Sequence, residues 1–215
     1  MVIEKKITAQ DQYPVMESFY TLQGEGAHMG KAAWFIRLGG CDVGCVWCDV
    51  KDSWDALKHP VQTVEQVMDT LRKETIAEQT SIKPIVVITG GEPLLHNLDG
   101  LTAALKSEGY TINIETSGSS PLSGQLDWIC VSPKKFKAPL DEVIAVANEL
   151  KVVIFNSSDF SWAEKYAAKV PKDCRLFLQP EWEKRNQMTP LIVNYIKEHP
   201  QWQLSVQAHK YIDVP

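Results

Sequence analysis

Long hydrophobic runs are missing from this sequence, and so is any excess of positive charge. No apolar stretch approaches the roughly 18 residues that a membrane-spanning helix needs, so no membrane segment is expected. The formal net charge is −5, from 22 Lys and Arg against 27 Asp and Glu. A general nucleic-acid binder would show a basic excess, so nucleic acid is not an expected partner. The opening stretch MVIEKKITAQDQYP has no apolar leader core, and a cytoplasmic protein is the expectation. Internal repeats, low-complexity tracts and linkers are absent too. With 215 residues, 44% of them hydrophobic and 23% charged, the chain fits one globular domain over 1–215.

Cysteine is scarce, with five in all. Cys41, Cys45 and Cys48 crowd together. Cys130 and Cys174 stand alone in apolar, strand-like runs and read as core. An odd, clustered set without an export signal excludes a disulfide framework and points to metal or catalysis.

What is present reads as strands alternating with helices. Strands are expected over 34–38, 85–89, 111–115, 128–132, 152–155, 175–179 and 202–208. Helices are expected over 64–76, 98–105, 140–150, 161–169 and 189–199. This order implies parallel pairing and an α/β fold. Nearly every strand ends in polar or glycine-rich residues: Gly39-Gly40-Cys41, Gly90-Gly91-Glu92, Glu115-Thr116-Ser117, Ser132-Pro133-Lys134, Gln179-Pro180-Glu181, and Gln207 with His209. Open sheets concentrate their chemistry at one switch point, whereas barrels decorate the C-terminal ends of several strands. A partial, modified (β/α) barrel of parallel strands is therefore expected. Alternation in 202–208 puts Gln203, Ser205, Gln207 and His209 on one face, a polar inner face that suits a ligand.

The cysteines are spaced C-x3-C-x2-C on a loop that follows a strand and a glycine pair. Four thiolates would close a 4Fe–4S cluster. Three leave one iron open, and the amine and carboxylate of S-adenosylmethionine (SAM) can fill it. The cofactor then supplies radical chemistry that the protein positions. A structural zinc site is the alternative, with His28 as the fourth ligand. The spacing, with Trp47 just before the third cysteine, is similar to that of the radical SAM superfamily. Thr89-Gly90-Gly91-Glu92-Pro93 resembles that superfamily's glycine-rich segment, where Glu92 would accept a hydrogen bond from the methionyl ammonium of SAM. Cys41, Cys45 and Cys48 would hold the cluster.

Further motifs resemble one family, the 7-carboxy-7-deazaguanine synthases. They are Phe19-Tyr20-Thr21-Leu22-Gln23-Gly24-Glu25-Gly26, Arg37, Glu115-Thr116-Ser117-Gly118, Ser132-Pro133-Lys134, Leu178-Gln179-Pro180, His209 and a final Pro215. The resemblance implies that 6-carboxy-5,6,7,8-tetrahydropterin is converted to 7-carboxy-7-deazaguanine with loss of ammonia. It implies SAM and a 4Fe–4S cluster, a homodimer and a flavodoxin-like electron donor. Trp47, Cys48, Gly90, Gly91, Glu92, Thr116, Ser117, Ser132, Pro133, Lys134, Gln179, Pro180 and Glu181 would surround SAM. Leu22, Gln23, Gly24, Glu25, Arg37, Thr89, His209 and the carboxylate of Pro215 would meet the substrate. A pterin edge offers donors and acceptors that Gln23, Glu25, Gln179 and His209 can pair with, and its carboxylate suits the planar fork of Arg37.

The chain departs from the family pattern at one place. Members carry Cys-Asp-Thr at the third cysteine, with the threonine associated with a magnesium ion on the substrate; here the run is Cys48-Asp49-Val50. Valine offers no oxygen, and magnesium requires hard oxygen ligands. Magnesium is thus absent or weaker here, or it is held by Asp49, water and substrate. Two rivals use the same cysteine loop. An activase that installs a glycyl radical on a partner enzyme would not need Arg37, His209 and Pro215. An electron carrier would complete its cluster with protein ligands.

Overall fold

A computed structural model describes residues 12–74 and 82–215. The leader expectation over the first residues, and residues 75 and 76 of the expected first helix, lie outside them. Among the described residues nine strands form one sheet: β1 (Gln12–Leu22), β2 (Ala32–Leu38), β3 (Val61–Thr63), β4 (Ile85–Gly90), β5 (Ile112–Thr116), β6 (Trp128–Val131), β7 (Glu149–Ile154), β8 (Arg175–Pro180) and β9 (Trp202–Leu204). Their order is β3-β1-β2-β4-β5-β6-β7-β8-β9. From β2 to β9 every pairing is parallel. β1 and β3 add an antiparallel edge that the sequence pattern did not announce.

Among the described residues six α-helices accompany the strands: α1 (Val64–Glu74), α2 (Asp99–Ser107), α3 (Asp141–Ile144), α4 (Ser158–Ala167), α5 (Arg185–Glu198) and α6 (Ala208–Ile212). Two expectations fail. The helix expected over 140–150 is only the short α3, and Glu149-Leu150-Lys151 begin β7 instead. The strand expected over 202–208 stops at Leu204, and Ala208 opens α6. Its polar face divides accordingly. Gln203 points to solvent and bonds Arg175, Ser205 is buried, and Gln207 and His209 reach the central cavity from outside any strand.

Side-chain alternation along the strands separates two environments. Trp34, Ile36, Val86, Ile88, Ile112 and Ile114 pack outward with α1 and α2 in one apolar core. Val131, Leu150, Val152, Ile154 and Leu178 pack outward with α3, α4 and α5 in a second. The intervening positions face inward: Arg37 on β2, Thr89 on β4, Asn113 and Glu115 on β5, Cys130 on β6, Glu149 and Lys151 on β7, and Gln179 on β8. Most apolar burial thus lies outside the sheet, while the lumen mixes charged and polar side chains with apolar ones such as Phe35 and Val153.

The sheet curls without closing. The gap between its ends is bridged by the loop after β1 and the segment after β9. Gly26 N donates to Ser205 Oγ (3.0 Å), Ala208 N to Gly24 O (2.9 Å), and Thr21 Oγ1 to Pro215 O (3.2 Å). This is the partial barrel that the decorated strand ends imply.

Candidate functional site

The C-terminal ends of the parallel strands surround one cavity of about 270 Å³. Its upper wall is the loop carrying Cys41, Cys45 and Cys48, with Trp47 between them. Backbone bonds clamp that loop: Gly40 N to Ser53 O (2.7 Å), Cys41 N to Trp54 O (3.1 Å) and Cys48 N to Cys45 O (3.1 Å). Gly91 packs directly beneath. A Cβ built there would lie 2.2 Å from Gly40 O and 2.8 Å from Cys41 Cβ, so only glycine lets the two loops meet. Burial pushes the Cys41 and Cys45 thiols above the ordinary range. Such thiols become thiolates readily when a metal binds them.

Among the described residues no three His, Cys, Asp or Glu side chains converge on a single ion. Three thiols on one clamped loop, facing a cavity, fit a 4Fe–4S cluster with one iron left to a ligand. The zinc alternative lacks its fourth ligand. His28 bonds Asn113 Nδ2 (2.7 Å) and packs on Trp128 (4.6 Å between centroids) in a separate small cavity lower in the lumen.

Most other expected residues reach the cavity wall: Thr89 and Gly90 from β4, Thr116 at the end of β5 and Ser117 after it, Ser132 and Lys134 after β6, and Gln179 and Pro180 from β8 with Glu181 after it. Lys134 is bonded to Ser132 Oγ (2.5 Å) and lies 5.2 Å over the Trp47 ring. Burial lowers its pKa. Glu181 caps its own turn, its oxygens accepting from Glu183 N (3.1 Å) and Lys184 N (3.0 Å).

Two expected residues stand apart from the wall. Pro133 turns its carbonyl to Trp162 Nε1 (3.2 Å). Glu92 is 1% exposed and sits behind the wall. It accepts Leu94 N (3.1 Å) and Thr116 Oγ1 (2.5 Å) on one oxygen, and Ser117 N (2.8 Å) and Ser117 Oγ (2.5 Å) on the other. A carboxylate offers about four acceptor positions. All four are taken within the protein. Glu92 ties the glycine-rich loop to the loop after β5.

The opposite wall carries Leu22, Gln23, Gly24, Glu25, Arg37, His209 and Pro215. A Cβ on Gly24 would meet His209 Nδ1 at 2.2 Å, so the missing side chain is what seats His209. Burial lowers the His209 pKa against the pull of Glu25, favouring a neutral imidazole. Arg37 gives its Nε to Glu17 (2.5 Å). Its terminal nitrogens carry no hydrogen bond among the described residues and keep the two-pronged face that a carboxylate fits.

Sequence reading missed Lys151, which stands among Glu25 and Glu115, and Trp54 and Trp182, which line the cavity. Lys151 fell between the expected helix over 140–150 and the expected strand over 152–155.

At the magnesium position, Val50 lines the cavity without an oxygen. Asp49 Oδ2 is engaged by Lys210 Nζ (2.8 Å) and Gln207 Nε2 (3.4 Å). Burial would raise the Asp49 pKa, but Lys210 holds it below the usual value. This donor set does not fit a divalent cation, because its one carboxylate already has an ammonium.

A curled, mostly parallel sheet with a three-cysteine loop at its C-terminal rim defines a radical SAM protein, and the Radical SAM superfamily model matches residues 35–155. Curated relatives narrow this further. The chain is 48% identical to a 7-carboxy-7-deazaguanine synthase of Flavobacterium psychrophilum, over 99% of this chain and 98% of the relative. It is 49% identical to one of Synechocystis, over 94% and 93%. A crystal structure of QueE from Escherichia coli superposes with a TM-score of 0.79 at 31% identity, covering 96% of this chain and all of that one. The chain belongs to the 7-carboxy-7-deazaguanine synthase family.

Proposed function

We infer that this chain is a carbon–nitrogen lyase that converts 6-carboxy-5,6,7,8-tetrahydropterin to 7-carboxy-7-deazaguanine with loss of ammonia, in queuosine and related 7-deazapurine biosynthesis. Family membership along nearly the whole chain carries this reading. The cavity geometry supports it: a thiol loop on one wall, and a fork-ready guanidinium with acceptor side chains on the other. Cys41, Cys45 and Cys48 would hold the 4Fe–4S cluster. With SAM bound, that cluster would supply the electron for radical chemistry on the substrate.

The protein's own residues orient and enclose. The terminal nitrogens of Arg37 bind the substrate carboxylate. Gln23, Glu25 and His209 pair with the ring edge, with Leu22, Gly24, Thr89 and Pro215 closing around it. Trp47, Gly90, Gly91, Thr116, Ser117, Ser132, Lys134, Gln179, Pro180 and Glu181 enclose SAM. Glu92 and Pro133 act from behind by fixing the loops. The resemblance also supports a cytoplasmic homodimer, folded as one domain and reduced by a flavodoxin-like donor. Among the described residues no helix is long and apolar enough to cross a membrane.

The deciding experiment is anaerobic. The cluster is reconstituted, SAM, reductant and 6-carboxytetrahydropterin are added, and 7-carboxy-7-deazaguanine is sought by mass spectrometry. SAM cleavage without this product would keep the superfamily and reject the substrate.

Magnesium gives a second test. After chelation, added Mg²⁺ is expected to stimulate the wild type less than Val50→Thr, which restores a hydroxyl beside the Asp49–Lys210 pair. Equal stimulation of the two proteins would show that the side chain at 50 has no part in metal dependence.

A further inference from the structure

Lys151 is 3% exposed, yet it carries a charge into the centre of the lumen. Its ammonium donates to Glu25 and to Glu115 Oε2 (3.1 Å). Burial favours the neutral amine, but Glu115 and Glu25, with Cys130 and Glu149 beyond them, carry its pKa well above the ordinary value. Glu115 is held from its other side, its Oε1 accepting Gln23 Nε2 (2.8 Å). Gln23 Oε1 in turn accepts Glu25 N (3.0 Å). Lys151, Glu25, Glu115 and Gln23 therefore form one closed network, and all four line the large cavity.

A lone buried carboxylate would take up a proton and become a donor. Burial presses Glu25 in that direction, and Lys151 overrides it, bringing the Glu25 pKa down to about 2. Glu25 thus stays an acceptor at the cavity wall, and Glu115 accepts from both Lys151 and Gln23. The other ionisable groups facing this network are Cys130 on β6, Glu149 on β7, His28 after β1, Lys134 after β6, His209 on α6 and Asp49 of the cysteine loop.

We propose that Lys151 is a positioning residue for the reaction: its ammonium fixes Glu25 and Glu115 as a pair of hydrogen-bond acceptors on the cavity wall, so that the site selects a ligand edge bearing N–H donors. The proposal rests on the reading of this cavity as the pterin site. Lys151 need not touch the reacting atoms; it acts through the two carboxylates.

The test compares wild type, Lys151→Met and Lys151→Arg as reconstituted holoenzymes, each judged folded by its iron content and by its spectral response to SAM. Product formation is followed from pH 5 to pH 9. In the wild type Glu25 is ionised throughout, so it contributes no acid-side loss. Without the ammonium, burial raises the Glu25 pKa, and activity falls as pH drops through the new value.

Lys151→Met is expected to lose kcat/KM by about 100-fold at neutral pH, mainly through KM, and to acquire an acid limb absent from the wild type. Lys151→Arg is expected to recover most of that loss and the wild-type pH profile. If Lys151→Met does not fold, Lys151→Gln, which keeps the donors and removes the charge, takes its place with the same expectation. A neutral variant with unchanged KM and pH profile overturns the proposal. So does failure of both neutral variants to hold a cluster, which would make the charge purely structural. A wild type that makes no product rejects the substrate reading itself, whatever the variants do.

Discussion

Replacing Cys45 with alanine is expected to abolish both SAM cleavage and product formation. Cys45 is the most buried of the three loop thiols, and its loop is pinned by Gly40, Cys41 and Cys48. A 4Fe–4S cluster held by three thiolates has one open iron by design; removing a ligand opens a second and lets the cluster fall apart. No other thiol can substitute. Cys130 lies lower in the lumen, where burial pushes its pKa far up, and Cys174 packs with the outer core. Iron content, visible absorbance and 5′-deoxyadenosine formation report the result. A coloured variant that still cleaves SAM would move the cluster away from this loop.

The second large effect is on stability. Glu92→Ala removes a buried acceptor from four donors at once. The hydroxyls of Thr116 and Ser117 can turn to other partners, but the Leu94 and Ser117 amides cannot. Stranding them in the interior costs about 4 kcal/mol. For a chain of this length that lowers the melting temperature by about 10 °C. An anaerobic melt of the cluster-free protein isolates this effect from cofactor binding. If that melt matches the wild type, the carboxylate is not the tie between the two loops, and a direct role toward SAM returns.

The parallel sheet and the cysteine loop were legible because both obey local rules. β-branched runs such as Ile85-Val86-Val87-Ile88 end at glycines, and a C-x3-C-x2-C spacing has few uses. β1 was not legible. Only Tyr13 and Val15 among its residues are buried, and its partners β2 and β3 are set by register across the edge and not by local pattern. β7 was misread for a different reason. Leu140, Val143, Ile144 and Ala147 have helical spacing, and a strand with Glu149 and Lys151 turned inward contradicts the usual burial of charge. That inversion is stable only because the charges satisfy one another, which no single strand reveals. The tie that Glu92 makes was hidden for the same reason, since most of its donors arrive from a loop about 25 residues away. The last strand looked longer than it is, because its polar alternation continues into a loop and a helix that reach the same cavity.

The two-sided sheet also sorts heritable change by parity. Along β5 and β7, positions 113, 115, 149, 151 and 153 look into the lumen, while 112, 114, 150, 152 and 154 look toward the helices. Substitution at 112, 150, 152 or 154 taxes folding, since those side chains pack in the apolar cores. Substitution at an odd number alters what the protein recognises and can leave the apolar cores intact, or even relieve them of costly buried ions. Drift in specificity and drift in stability thus run on interleaved tracks one residue apart, and a lineage can explore one while holding the other still.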